Sequence, residues 1–259
     1  MRNPKINFDE LQMFFGEPYV IDIEQIEGTI TIYQPTIGDI VSIGEDKFYQ
    51  TLSIFVTNTT TYRLMLWDAG MDWNNTSDFE LFLMLYKSID SDVSLMLFGV
   101  DLSICEVYTL TQNAGTENET QEPVLVYNDE IAQIIINETV YNHISQYLQN
   151  VFQMFPEEKL TKDPVMKMWF IERDRRQAAR EERKKNKETF SMRSIISACV
   201  NHPGFKYNLK QLKEVGVCEF YDSVRRLQIY ENSTALLKGM YSGFVDGSKI
   251  KPDDYNFMK

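Results

Sequence analysis

The chain has 259 residues, 43% of them hydrophobic, which is enough to bury the core of one large domain or two small ones. Its formal net charge of −12 disfavours binding to nucleic acid or to an anionic membrane surface. No apolar run reaches the ~18 residues that a membrane-spanning helix needs, so we expect no membrane partner.

The amino terminus and the cysteines predict where the protein is found. Met1 and Arg2 are followed within ten residues by Asp9 and Glu10 and not by the apolar stretch of a secretory signal. The three cysteines are far apart in the sequence, which favours reduced thiols in a reducing compartment. We therefore expect a protein that stays in the cytoplasm of the cell that makes it.

The first part of the chain mixes strand and helix signals. Residues 18–22 and 29–33 have strand composition and predict a β-hairpin. Thr36 with Asp39 resembles a capping box that starts a helix, and Gly44 is expected to divide the helical pattern into two helices. Ser77 opens a further helix through residue 85, which is apolar on nearly every side and is therefore expected to be buried.

Further strands and one strongly amphipathic helix follow. Residues 106–111 and 124–127 read as strands around a polar hairpin loop over 112–122, and residues 131–136 are a candidate third strand. Residues 138–152 place their apolar side chains on one stripe, which predicts an amphipathic helix.

The charge pattern changes in the last third of the chain. Asp163 and Pro164 mark the start of a helix whose apolar first turns, residues 165–171, can pack against other elements. Of residues 172–188, 13 are charged, so the rest of the helix is predicted to be exposed and to connect two domains. From residue 191 the pattern is helical, with an irregular tail from residue 242. The predicted fold class is α+β, with an α+β domain of β-hairpins and helices over residues 1–155, a charged connecting helix over 156–190 and an all-α domain over 191–259.

Candidate catalytic and metal-binding residues are few. His143 and His202 are the only histidines, and Cys199 with His202 has the spacing of half a zinc site or of a Cys–His nucleophile pair. No second half is present, since Cys105 and Cys218 are isolated. No Gly-rich phosphate loop or Gly-x-Ser-x-Gly motif occurs. We therefore predict a non-enzymatic protein with no catalytic residues, no cofactor and no metal.

The basic stretch over residues 173–187 has two interpretations. Its eight basic residues could contact nucleic acid, but Glu181 and Glu182 are interleaved with them, as in a solvated single helix. The solvated helix is favoured, and no nucleic-acid partner is predicted.

Two tryptophans lie in a segment that reads as a turn-rich loop over residues 67–75. Trp67 and Trp73 could fasten this loop to the core, which is the favoured interpretation. Alternatively, Trp67, Met71 and Trp73 form a partner-binding surface, because large apolar anchors beside aspartates are typical of protein interfaces.

Residues 28–39 (GTITIYQPTIGD), followed by a helical segment and then by residues 78–86 (DFELFLMLY), resemble the N-terminal layout of tail and baseplate assembly chaperones of long-tailed bacteriophages. The charged helix and the C-terminal stretches 200–204, 222–226 and 241–246 resemble phage proteins more generally. The resemblance implies a protein made in the host bacterial cytoplasm that binds an aggregation-prone partner, such as the tape-measure protein or a baseplate protein. It implies no catalytic residues.

The leading hypothesis is therefore a protein-binding, tail assembly chaperone-like protein. A structural tail or baseplate subunit retained in the virion is the alternative, and a nucleic-acid-binding regulator is a third. The sequence leaves open whether the chain is also a homo-oligomer.

Overall fold

The computed structural model describes residues 4–22, 28–112, 120–128, 133–183 and 191–258. The chain begins with a short helix α1 (Glu10–Phe14) and the antiparallel hairpin of β1 (Tyr19–Ile21) and β2 (Ile30–Ile32). Helices α2 (Ile37–Ile43) and α3 (Glu45–Val56) follow. The predicted hairpin and the division into two helices at Gly44 are confirmed.

Capping boxes start two of the N-terminal helices, as predicted. The Thr36 hydroxyl accepts the Asp39 N–H at 3.1 Å, and the Asp39 carboxylate accepts the Thr36 N–H at 2.8 Å. Ser77 and Glu80 exchange the same two bonds at 3.1 and 2.7 Å. These bonds satisfy backbone groups that a helix terminus otherwise leaves without partners.

The next three helices are α4 (Arg63–Asp68), α5 (Asp78–Leu85) and α6 (Ser91–Phe98). Helices α4 and α6 were not predicted, and Trp67 lies on α4, so its assignment to a loop was wrong. Helix α5 buries Phe79, Leu81 and Phe82, but Met84 is 47% exposed. The prediction that this helix is buried is therefore correct for one side of the helix only.

A second sheet consists of β3 (Glu106–Gln112), β4 (Thr120–Asn128) and β5 (Gln133–Ile136). The strands are antiparallel in the order β3-β4-β5. Leu125 and Ile136 belong to the main core, whereas all of residues 106–111 are exposed. Most of the predicted hairpin loop, residues 113–119, and the first two residues of the predicted third strand, 131–132, lie outside the described residues.

Helix α7 (Glu138–Phe152) has the predicted bounds and lies at the centre of the main core. It contacts α3 and α5 and also a C-terminal helix, because one stripe of its surface is apolar. The buried members of that stripe are Val140, Tyr141, Ile144, Tyr147, Leu148, Val151 and Phe152.

The last third of the chain is helical and shares the main core. It contains α8 (Pro164–Arg183), α9 (Met192–Val200), α10 (Leu209–Leu212) and α11 (Val217–Tyr241). Val217 donates its N–H to the Pro35 carbonyl at 3.0 Å, and Val217 and Phe220 are fully buried. The core is thus continuous across the domain boundary predicted at residue 191.

The described elements confirm the α+β class, with a helical C-terminal region. No helix in the described part of the chain has both the length and the apolar character that crossing a bilayer requires.

Candidate functional site

Helix α8 is attached to α4 by a buried ion pair. The Arg63 guanidinium donates from Nε and Nη2 to the two carboxylate oxygens of Asp174, at 2.5 and 2.7 Å. The Arg63 side chain is only 6% exposed, and it also lies 4.9 Å from the centroid of the Phe170 ring. A bidentate, shielded pair of this kind fixes the rotation of α8 about its own axis.

Two further ion pairs flank this one. Lys167 pairs with Asp72 in the turn after α4, and Arg175 pairs with Asp68 at the end of α4. Positions 167, 171, 174 and 175 lie on one side of a helix, so this side of α8 is turned toward α4. Burial alone would raise the pKa of the Asp72 carboxyl, but the hydrogen bonds from Lys167 and Asn74 outweigh it, and the pKa lies below its ordinary value.

A small apolar cluster lies beneath the ion pairs and is separate from the main core. Its fully buried members come from α4, the following turn, α5 and α8, and they are Leu66, Trp73, Leu81 and Ile171. Trp67, Met71 and Phe170 are partly buried against it. Trp67, Met71 and Trp73, the three residues predicted to bind a partner, are thus brought together, and they line the surface against which α8 packs.

Trp73 is 0% exposed. Its indole N–H donates to the Lys159 carbonyl at 3.2 Å, and its ring lies edge to face with Trp67 at 6.0 Å between centroids. This geometry favours the interpretation that the tryptophans fasten the segment to the core. Trp67 and Met71 retain partly exposed surface at the rim of the cluster, and their role as partner anchors stays a prediction.

The segment that leads into α8 is held in place by hydrogen bonds. The Asn74 side chain exchanges two bonds with the backbone of Thr161, both at 3.1 Å. The Thr60 hydroxyl accepts the Lys159 N–H at 3.0 Å. These contacts fix the start of α8, so the surface of the helix that faces away from α4 is presented in a defined orientation.

That outer surface is apolar at its N-terminal end. Val165 is 75% exposed, Met168 44% and Trp169 47%, and Met166 beside them is 41% exposed. Positions 165, 168 and 169 share the helix face opposite Lys167 and Ile171. We call Val165, Met166, Met168 and Trp169 the outer patch of α8. Large apolar side chains grouped on a surface are typical of protein interaction sites.

The sequence pattern predicted that the apolar start of α8 can pack against other elements. It did not single out Trp169. Apolar residues occupy both sides of this turn, with Phe170 and Ile171 facing inward and Val165 and Trp169 facing outward. The signal that separates the two sides is the position of Lys167 and Asp174, which form ion pairs with the turn after α4 and with α4 itself.

The basic residues of α8 are partly engaged within the protein. Arg173 lies over the Trp169 ring at 5.1 Å, and Arg176 donates from Nε to the Glu172 carbonyl at 3.2 Å. Residues 175–183 are exposed, as a solvated helix predicts, and residues 184–187 of the predicted basic stretch lie outside the described residues.

The histidines and cysteines make local contacts. His202 accepts the Gly204 N–H on Nδ1 at 3.0 Å, and its Nε2 lies 3.2 Å from a Glu231 carboxylate oxygen. Burial raises the pKa of the Cys105 thiol to about 12 and that of Cys218 to about 11, which disfavours the nucleophilic thiolate. Among the described residues, no group of three or more His, Cys, Asp or Glu side chains is arranged to hold a metal ion.

Comparison with known proteins places a match in the C-terminal region alone. Residues 183–259 match the family model described as the second domain of YomV, a phage-related family. No curated protein and no solved structure matches the chain. The matched segment covers α9 to the C-terminus, which is less than a third of the chain. This similarity supports a phage origin for the protein.

Proposed function

We propose that this chain is a non-enzymatic protein that binds another phage protein during tail or baseplate assembly, in the manner of a tail assembly chaperone. The phage-related C-terminal match supports the phage setting. The resemblance of residues 28–39 and 78–86 to tail and baseplate assembly chaperones supports the finer role. The proposed partner is a tape-measure or baseplate protein, and no cofactor, metal or nucleic acid takes part.

The observation that carries the proposal is the outer patch of α8. Four large apolar side chains are exposed within five consecutive residues, on a helix whose other side is fixed by ion pairs. A rigid helix face with one half-exposed tryptophan has the composition of an interface hot spot. Because the helix is already ordered, binding a partner would cost this chain little conformational entropy.

The chemistry of the patch favours an apolar, adaptable partner segment. Two of its four members are methionines, whose flexible thioether side chains adapt to irregular apolar shapes. A chaperone that covers an aggregation-prone protein needs this property. The mixed charges over residues 172–183 would then lie at the rim of the interface, where they favour correct pairing more than affinity.

Deletion of the gene from the phage tests the proposal. Electron microscopy of the lysate should show normal heads with absent or aberrant tails, and a plasmid copy should restore infectious particles. Mass spectrometry of purified virions then distinguishes the proposed chaperone, which is absent from the particle, from the alternative of a retained tail or baseplate subunit. Normal infectious particles from the deleted phage would refute both.

Complementation with single variants tests the surface. Trp169→Ala should restore few particles, whereas Leu95→Ala, which changes a side chain 48% exposed on α6, should restore wild-type numbers. Both proteins must accumulate to wild-type levels for the comparison to count. Equal complementation by the two variants would contradict a role for the outer patch of α8.

A further inference from the structure

The sequence and register of strand β3 lack features that usually protect an exposed sheet edge. Natural edge strands avoid pairing with other chains by being short, by carrying Lys or Pro, by a bulge, or by being covered. Strand β3 has seven residues with the sequence EVYTLTQ, which contains neither Lys nor Pro. Its register with β4 runs without a bulge from Glu106 to Gln112.

The opposite strand of the same sheet is shorter, and another part of the backbone lies against it. Strand β5 has four residues, and the backbone of Gly28 lies so close to it that a Cβ there would be 2.1 Å from the Gln133 carbonyl oxygen. In the part of the chain that the structure describes, no strand pairs with the outer edge of β3. Among the described strands, the outer edge that is left unpaired therefore belongs to the longer strand.

Three of the seven side chains of β3 are large, apolar and exposed. Tyr108 is 52% exposed, Leu110 43% and Val107 46%. Tyr108 and Leu110 point to the same face of the sheet, where they line a depression of about 490 Å³ together with Ile104, Val126 and Ile135. Strand addition uses backbone hydrogen bonds and side-chain pockets. The unpaired edge of β3 supplies the backbone groups, and the exposed apolar side chains beside it supply the pockets.

We infer that β3 pairs antiparallel with β3 of a second copy of this chain, about a two-fold axis at Thr109, and joins the two three-stranded sheets into one. This inference does not depend on the proposed function.

The strand is self-complementary in this arrangement. Pairing about Thr109 places Tyr108 of each copy opposite Leu110 of the other, so two aromatic–aliphatic cross-strand pairs form on one face. A two-fold axis makes the same surface serve both copies.

The charges of the chain are compatible with pairing of two copies, and they predict that the affinity of the dimer depends on salt. Glu106 is the only charged residue of β3, and the two copies of it would lie six residues apart, about 20 Å along the strands. This exceeds the Debye length of about 8 Å at physiological ionic strength, so their repulsion is screened. The net charge of −12 on each copy opposes association at long range, so added salt should strengthen the dimer.

Sedimentation of the whole chain at micromolar concentration should give twice the monomer mass of 30.4 kDa. The double variants Tyr108→Lys/Leu110→Lys and Tyr108→Glu/Leu110→Glu should each be monomeric, because like charges then oppose each other across the axis. An equimolar mixture of the two should regain the dimer. Leu95→Lys, which changes an exposed side chain on α6, should remain dimeric.

Cysteine cross-linking tests the register without added charge. Thr109→Cys places the two new thiols on the axis, where antiparallel Cα atoms are about 4.5–5.5 Å apart and a disulfide can form. Thr111→Cys places them four residues apart and should not cross-link. The inference would be overturned if the wild-type protein were monomeric or if either charge variant were dimeric. It would also be overturned if the mixture stayed monomeric or if the two cysteine variants cross-linked equally.

Discussion

Replacing Trp73 by alanine should destabilise the fold strongly, because the side chain is 0% exposed and its indole N–H is hydrogen-bonded. A buried tryptophan covers about 150–250 Å² of surface, and its truncation in a core costs about 3–5 kcal/mol of unfolding free energy. At about 2–4 °C per kcal/mol for a chain of this size, the melting temperature should fall by about 6–20 °C.

Trp169→Ala is the matched control, since Trp169 is 47% exposed on the outer patch of α8. Roughly half of its area remains in water, so its truncation should cost only about 1–2 kcal/mol. Urea unfolding followed by far-ultraviolet circular dichroism compares the two variants without relying on tryptophan fluorescence.

The two variants should separate stability from partner binding. Trp73→Ala should lose partner binding only to the extent that the fold is lost, whereas Trp169→Ala should keep its fold and lose affinity by about 2 kcal/mol, the usual hot-spot scale. A Trp73→Ala protein with wild-type stability would refute the core interpretation and would return Trp73 to the predicted partner surface.

Three further outcomes are expected. Asp174→Asn leaves Arg63 buried beside a neutral partner and should cost about 3 kcal/mol in urea unfolding, whereas Asp68→Asn, whose ion pair is half-exposed, should cost less than about 1. Burial raises the pKa of the Asp78 carboxyl, so the folded chain holds this proton more tightly than the unfolded chain does, and stability falls as the pH rises through the raised value. The stability of Asp78→Asn relative to wild type should therefore increase from acidic to neutral pH, and a constant difference would contradict this. Fluorescence anisotropy should detect no binding of short DNA or RNA at physiological salt; micromolar affinity lost on Arg-to-Glu changes within residues 173–187 would refute the solvated-helix interpretation.

Local signals in the sequence predicted much of the secondary structure. Thr36 and Ser77 start helices because their hydroxyls accept a backbone N–H three residues on, which depends only on neighbours in the chain. The apolar stripe of α7 in the sequence likewise predicted the bounds of the helix, Glu138–Phe152. Helix α4 was missed because its six residues carry no capping bond at Tyr62 and end in a segment rich in turn-forming residues.

Patterns of composition also determined the α+β class, the exposed charged end of α8 and the scarcity of groups for catalysis. They could not determine which apolar residues face inward, because in the first turns of α8 both sides are apolar. The ion pairs to Asp72 and Asp174 decided this, and they join residues about 95 and 111 positions apart in the chain. Tertiary structure thus buried Trp73, exposed Trp169 and, among the described strands, left the outer edge of β3 unpaired, since these outcomes depend on contacts between distant segments that local sequence does not encode.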